Sequence, residues 1–227
     1  MGKNIVQRID DGVLVNTVLV SVSDKTGLEK FIPGMLAVNP SLRILSTGGT
    51  FSKLQEILGN KAKGCLEQVS EYTGQPETQG GLVKTLDFRI YLGLLTETYN
   101  PSHQNDMKRT FSRTIDMVVA NLYPFRETIA SEGVTPELAR GNIDIGGPTM
   151  IRAAAKNFIR VASVVDPKSY AWILERMNAN KGTLTLEDRF SLARQAFNHT
   201  AEYDRTIADY LADQAFATVA SCYVTGD

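Results

Sequence analysis

Residues Val13 to Leu28 read VLVNTVLVSVSDKTGL, and this stretch decides the fold. Its first ten residues are a nearly unbroken aliphatic, β-branched run, the pattern of a strand buried on both faces. The run ends in Ser23-Asp24-Lys25-Thr26-Gly27, a turn of small and polar residues, and Leu28, Phe31, Ile32 and Met35 then recur at helical spacing. The next segment repeats the plan. Leu42 to Leu45 reads as a short strand, Ser46-Thr47-Gly48-Gly49-Thr50 breaks it, and Phe51, Leu54, Ile57 and Leu58 form a helical stripe. Two such units in succession predict a parallel sheet with crossover helices. In sheets of this kind ligands sit beyond the carboxyl ends of the strands, where both polar turns fall.

Outward from that core, Met117 to Leu122 is another apolar strand, closed by Tyr123-Pro124-Phe125. Gly147 and Pro148 open a helix that runs to Phe158, with Ile151, Ala154, Ala155 and Phe158 as its stripe. Val161 to Val165 is a strand, and Asp166-Pro167 opens a helix through Met177. Thr185 and Asp188 stand at capping-box spacing before a long helix. Its core face is expected to carry Phe190, Ala193, Phe197, Ile207 and Leu211. The polar, aperiodic stretch Leu95 to Arg113 reads as an excursion loop. No composition shift marks a boundary, so the expectation is one α/β domain over residues 1–227, with a mostly parallel sheet, flanking helices and a helical C-terminal end.

Bulk composition narrows the function classes. Lys and Arg number 24 against 25 Asp and Glu, so no global basic field calls for nucleic acid and any anion site must be local. Cys65 and Cys222 form no ligand motif, which predicts reduced thiols and no metal site. The first residues carry early acids and no apolar h-region. No apolar run approaches the ~20 residues a membrane helix needs. A cytoplasmic location, without membrane contact, is the expectation.

The candidate site residues cluster at the predicted strand ends. Free N–H groups at a glycine-rich strand-to-helix turn suit an anion, and hydroxyls add donors. Ser46, Thr47, Gly48, Gly49 and Thr50 supply such a turn, with Lys25 on the neighbouring one. The same turn is also compatible with an ordinary βα connection. It is neither a Walker A loop nor a dinucleotide fingerprint, which favours a mononucleotide or sugar phosphate. In Gly80-Gly81-Leu82-Val83-Lys84-Thr85-Leu86, Lys84 either stands exposed at a strand end or lines a pocket and stabilises an oxyanion. Tyr123 is either a core-edge residue or a ligand-facing one. In Asn142-Ile143-Asp144-Ile145-Gly146-Gly147, Asp144 between two isoleucines is either a proton-trading carboxyl of raised pKa or a cap on the following helix. Lys156 lies four residues after Arg152 on one polar face, roughly 12 Å from the helix start at 1.5 Å per residue. His199 reads as a helix-packing residue. With His103 the only other histidine, no histidine-based metal site or triad can be assembled.

Taken in order, these segments resemble one family. Val20 to Leu28, Leu45 to Thr50, Val83 to Leu86, Asn121 to Phe125, Asn142 to Gly147, Ile151 to Asn157 and Ala196 to Asp204 follow the motifs of the IMP cyclohydrolase domain of the bifunctional AICAR transformylase/IMP cyclohydrolase of purine synthesis. The resemblance runs from about residue 18 to 211 and leaves 1–17 as an N-terminal extension. It implies a methylglyoxal-synthase-like fold and a hydrolase that closes a formylated aminoimidazole carboxamide ribonucleotide to inosine monophosphate (IMP), with no metal or organic cofactor. It implies that Lys25 and the Ser46 to Thr50 turn hold the 5′-phosphate, with Ser21, Ser23 and Thr26 as substrate contacts. Lys84, Tyr123, Asp144 and Lys156 would then surround the reacting base, with Thr85, Asn121, Pro124, Phe125, Ile145, Gly146 and Gly147 as further substrate contacts. A homodimer is the implied assembly. The chain ends where the family's transformylase domain would begin, which leaves two readings open: a stand-alone cyclohydrolase, or one half of a split system partnered by a separate transformylase chain. The family pattern is Gly-Arg-Val-Lys-Thr-Leu-His-Pro with a second His shortly after. Here Leu82 stands for the Arg, Asp87 and Phe88 for His-Pro, and Tyr91 for the second His. Those departures motivate an alternative, a non-catalytic module of the same fold that senses a phosphate-bearing nucleotide.

Overall fold

The structure, a computed structural model, describes residues 5–75 and 84–226. In chain order its elements are β1 (Val13–Leu14), β2 (Thr17–Val22), α1 (Leu28–Val38), β3 (Arg43–Ser46), α2 (Gly48–Leu58), α3 (Ala62–Cys65), β4 (Leu66–Gln68), α4 (Val69–Thr73), α5 (Phe88–Leu95), α6 (Pro101–Arg109), β5 (Met117–Asn121), α7 (Phe125–Ala130), α8 (Pro136–Gly141), α9 (Gly146–Lys156), β6 (Ala162–Val164), α10 (Tyr170–Ala179), β7 (Thr183–Leu184), α11 (Leu186–Ala212) and α12 (Phe216–Ala220). Among the described residues a parallel sheet runs in the order β4-β3-β2-β5-β6, and β1 pairs antiparallel with β7 beside it.

Side-chain alternation along the strands builds two cores, one on each face of the sheet. Val18, Val20 and Val22 of β2, Ile44 of β3 and Met117 and Val119 of β5 face α1, α2 and α10. Leu19, Leu45, Val118 and Ala120 point the other way, onto α5, α9 and the middle of α11. Helices cover both faces, which is why the strands read as continuous apolar runs rather than as alternating ones. Phe31 of α1 and Tyr170 of α10 stack at 4.1 Å between ring centroids and tie the first layer together.

Three expectations need correction. The Val13–Val22 run is two strands, because the chain turns at Val15-Asn16. There the Asn16 and Thr17 N–H groups both donate to the Asp116 carboxylate at 3.0 Å. The stretch from Leu95 to Arg113 contains α6, capped by the Asn100 side chain, which accepts from the Ser102 and His103 N–H groups. Only Met107 of that helix is buried, so it shows no apolar period to read. On α11, Phe190, Phe197 and Leu211 are exposed at 48%, 40% and 54%. The stripe that packs is Leu192, Ala193, Ala196, Thr200 and Tyr203. The capping box at Thr185 and Asp188 is present, and the buried Arg189 donates to the carbonyls of Asp10, Asp11, Phe158 and Ile159. Among the described residues no helix is long and apolar enough to cross a membrane.

Candidate active site

The strand order reverses between β2 and β5: β3 and β4 continue on one side of β2, β5 and β6 on the other. A cavity of about 570 Å³ opens at the carboxyl ends of β2, β3 and β5, a size suited to a small-molecule ligand. Each wall follows from local chain chemistry.

The first wall is the turn from β3 into α2. Thr47 is extended, and Gly48 enters the helix at φ +47°, a left-handed conformation that a side chain would strain. The Thr47 side chain makes no cap hydrogen bond to this helix start. The Ser21 and Thr47 hydroxyls lie 3.0 Å apart, and Thr50 Oγ1 accepts from the Val22 N–H at 3.1 Å while donating to Val22 O. These contacts lock the β2 and β3 ends side by side. Lys25 Nζ reaches the cavity beside Ser23, donating to its carbonyl at 3.3 Å. Asn121, at the end of β5, accepts from the Ser23 and Asp24 N–H groups at 2.7 and 2.9 Å and donates back to Asp24 O. Its amide therefore shapes the Lys25 loop.

Lys84 forms the roof. Its ammonium lies 3.2 Å from where a Cβ on Gly48 would stand, so the cation rests against the N-terminus of α2. A cation there opposes the partial positive charge of the helix end. The arrangement becomes favourable when an anion sits between them. Gly80, Gly81, Leu82 and Val83, which precede Lys84 in its motif, lie outside the described residues.

The third wall is the Asn142–Gly147 turn into α9. Asp144 has a feature of each anticipated reading, a cap contact and a raised pKa. Its Oδ1 accepts from the Gly147 N–H at 3.0 Å, as a helix-start cap would. Burial nonetheless pushes its pKa up, against the lowering pull of the Gly147, Tyr123 and Gly146 N–H groups. A Cβ on Gly147 would stand 2.5 Å from Asp144 Oδ2 and 2.7 Å from Leu122, so only glycine lets the carboxylate fold back onto the helix start. Tyr123, 57% exposed at the end of β5, lines the cavity between the Asn121 and Asp144 segments.

Thus Ser21, Ser23, Lys25, Thr47, Gly48, Gly49, Thr50, Lys84, Thr85, Asn121, Tyr123, Asp144, Ile145, Gly146 and Gly147 share one cavity. Five other anticipated residues do not line it. Ser46 is fully buried and spends its hydroxyl on Val20 O. Thr26 shapes the loop through its N–H bond to Asp24. Pro124 is the N-cap of α7, and Phe125 is buried against Tyr203 and Tyr210. Lys156 is exposed at the far end of α9, the helix whose start lines the cavity. Met150, Ile143 and Leu86, which sequence patterning does not single out, add apolar lining. Met150 could have been found as one turn along α9 from Gly146.

Three of the residues that depart from the family pattern, Asp87, Phe88 and Tyr91, lie among the described residues, and Leu82 lies outside them. Asp87 is buried and caps α5, accepting from the Arg89 N–H at 2.7 Å and from Gln75 Nε2 at 2.6 Å. Both of its oxygens are thereby committed to the scaffold. Phe88 points outward, 62% exposed. Burial pushes the Tyr91 phenol up to about 12, so it stays protonated. His199 is half-buried on α11, and burial lowers its pKa. Burial likewise raises the Cys65 thiol, and both cysteines are free. Among the described residues no group of three or more His, Cys, Asp or Glu side chains is placed to hold a metal ion.

Comparison with known proteins places this geometry. The chain matches the MGS-like domain family over residues 28–149 and the AICARFT/IMPCHase bienzyme family over residues 154–225. It is 44% identical over 200 residues to the bifunctional purine biosynthesis protein PurH of Ruminiclostridium cellulolyticum, covering 88% of this chain and 37% of that protein. It is 43% identical over 201 residues to the protein of the same name from Acetivibrio thermocellus, covering 88% and 38%. The chain therefore spans little more than a third of the length of these relatives. The crystal structure of ForH superposes with a TM-score of 0.70 at 31% identity, covering 85% of this chain and 97% of ForH.

Proposed function

This chain belongs to the MGS-like domain family and to the family of the AICARFT/IMPCHase bienzyme, and from that premise we propose that it acts in purine biosynthesis as an IMP cyclohydrolase. The observation that carries the proposal is the single cavity uniting Lys84, Tyr123 and Asp144 with Lys25 and the start of α2.

In this reading the 5′-phosphate of the substrate lies at the α2 start. The N–H groups of Gly48 and Gly49, the hydroxyls of Ser21 and Thr47, and the Lys25 ammonium surround it. The ribose spans the floor, and the imidazole reaches the Asp144 and Tyr123 side. The carboxamide nitrogen attacks the formyl carbon of the same molecule, forming the C–N bond that closes the ring. The formyl oxygen takes up the electron pair and becomes an alkoxide. Lys84, turned on its long side chain from the α2 start toward the imidazole, stabilises that charge and supplies its proton. The ionised Asp144 takes the proton that the carboxamide nitrogen loses, and Tyr123 orients the carboxamide by hydrogen bonding. Asp144 then gives its proton to the departing hydroxyl, which leaves as water, while the former formamide nitrogen returns its N–H proton to Lys84 as the C=N bond forms; the pyrimidinone ring of IMP is complete and both residues regain their starting states. Both reacting groups belong to one molecule, so holding the productive rotamer supplies much of the acceleration. Lys156 does not line the cavity of the single chain.

The test is to mix the purified chain with formylated substrate and follow the ultraviolet band of IMP. A rise in that band, abolished by Asp144→Asn, is the expected result. Unchanged absorbance with nucleotide bound would overturn the proposal and favour a nucleotide-sensing module, a reading motivated by the absent imidazoles at Asp87 and Tyr91. Activity appearing only with an added transformylase chain would identify one half of a split system.

A further inference from the structure

Asp144 is held at two points, and the second lies outside the cavity. Its carboxylate is fixed by the Gly147 N–H, and its own backbone N–H donates to the hydroxyl of Tyr203 at 2.7 Å. Tyr203 comes from the middle of α11, 59 residues further along the chain. It is buried, and its ring packs edge-on against Phe125 with centroids 6.3 Å apart. Phe125 opens α7, directly after the Tyr123-Pro124 segment that ends β5. One phenol thus touches the turn carrying Asp144 and the residue anchoring the turn that carries Tyr123. The turn is otherwise held from its α8 side, where the Asn142 and Ile143 N–H groups donate to Ala139 O and Arg140 O. Asn142 is exposed, and Ile145 turns 60% of its surface to solvent.

We propose that Tyr203 is a positioning residue for the ring-closing reaction, with its hydroxyl holding the Asp144 backbone so that the carboxylate stays folded over the start of α9 and directed at the reacting nitrogen. The inference rests on the cyclohydrolase reading of the cavity. Tyr203 does not touch the substrate, and its effect passes entirely through Asp144. Without the hydroxyl the Asp144 N–H must find water, the turn loosens, and water reaches the carboxylate. A more hydrated carboxyl titrates closer to the ordinary carboxylate range, that is, at lower pH.

The experiment is Tyr203→Phe, which keeps the ring and removes the acceptor. Expected are a fall in kcat of about tenfold, a KM for the formylated substrate unchanged within about twofold, and an acid limb of the kcat profile moved to lower pH. Tyr210→Leu, which removes another ring from Phe125 without touching the Asp144 turn, should lower thermal stability and leave the acid limb in place. An unmoved limb in Tyr203→Phe, with a stability loss like that of Tyr210→Leu, would overturn the proposal. Should Tyr203→Phe not fold, amide hydrogen exchange in the unaltered protein decides. A slowly exchanging Asp144 N–H supports the contact, and exchange at the free-peptide rate refutes it. If the unaltered protein forms no IMP, the functional reading fails. The coupling is then judged by carbon-13 titration of Asp144 in the unaltered and Tyr203→Phe proteins, and identical curves would sink it.

Discussion

Asp144 carries two opposed demands, since its turn is built to bury a carboxylate and the proposed chemistry needs that carboxylate ionised. Burial holds its folded pKa above the ordinary carboxylate value. The sign of the stability effect follows. A raised carboxyl pKa favours the fold below the unfolded value, and that contribution is lost as pH rises through the folded one. At pH 7 the ionised Asp144 therefore costs stability. Asp144→Asn should melt no lower than the unaltered protein at pH 7, and its kcat should fall on the order of 100-fold or more. Calorimetry and the IMP assay check the two halves, and a destabilised but active variant would contradict both. In the unaltered protein kcat should fall on acidification with an apparent pKa above the ordinary carboxylate value. Lys84 and Lys25 should divide their effects. Lys84→Ala should lower kcat by about 100-fold or more with little change in nucleotide affinity. Lys25→Ala should weaken nucleotide binding by about tenfold or more and spare kcat. Equal losses of turnover and affinity in each variant would refute that division. Tyr123 and Asp144 were open to sequence reading because they stand at a strand end and just before a helix start, where a parallel sheet puts its ligands, whereas Lys84 lies in a turn and drew notice only through its apolar neighbours. Lys156 lies ten residues down α9 from Gly146, about 15 Å at the helical rise, and does not line the cavity of the single chain. Tyr203 was hidden, since a buried helix tyrosine looks like core until its hydroxyl is seen to meet a backbone N–H 59 residues away.

At the scale of elements, the two helix starts facing the cavity are kept open by glycine. Gly147→Ala would push a methyl group to within 2.5 Å of Asp144 Oδ2 and 2.7 Å of Leu122. The helix start and the Asp144 turn would have to part. The expected outcome is a stability loss of roughly 1–3 kcal/mol together with loss of turnover, measured by denaturant unfolding and the same assay. A variant with unchanged kcat would show that the fold-back of Asp144 is dispensable. Strands and apolar helices were readable because their periods are set by burial: β2, β3 and β5 as aliphatic runs, α1 and α9 as stripes. Two elements escaped that logic. α6 buries one residue, and its start is announced only by Asn100-Pro101. On α11 the large exposed aromatics drew attention from the smaller Ala193, Ala196 and Thr200, which pack because the helix lies close to α9 and β6. Close packing favours small residues there.

For the whole molecule, the two ends of the sheet carry separate duties. At the amino end, Arg160 and Asp116 form a buried ion pair at 3.0 Å, and Asp116 also holds the Asn16 and Thr17 N–H groups. Asp116→Ala should therefore cost about 3–5 kcal/mol of stability, because it strands a buried guanidinium and two N–H donors. The residual folded protein should retain its KM, since the pair stands at the opposite ends of the strands from the cavity. At the carboxyl end, ligand binding should stabilise the fold. IMP at 100 times its Kd should add about 2.7 kcal/mol and raise Tm by roughly 5–10 °C, and inorganic phosphate should do less. The most direct test of one shared nucleotide cavity is a crystal structure of the protein with IMP. The account predicts the 5′-phosphate within hydrogen-bonding distance of the Gly48 and Gly49 N–H groups and Lys25, with the purine ring flanked by Lys84, Tyr123 and Asp144. A nucleotide seated elsewhere, or one with its base turned away from Asp144, would contradict it.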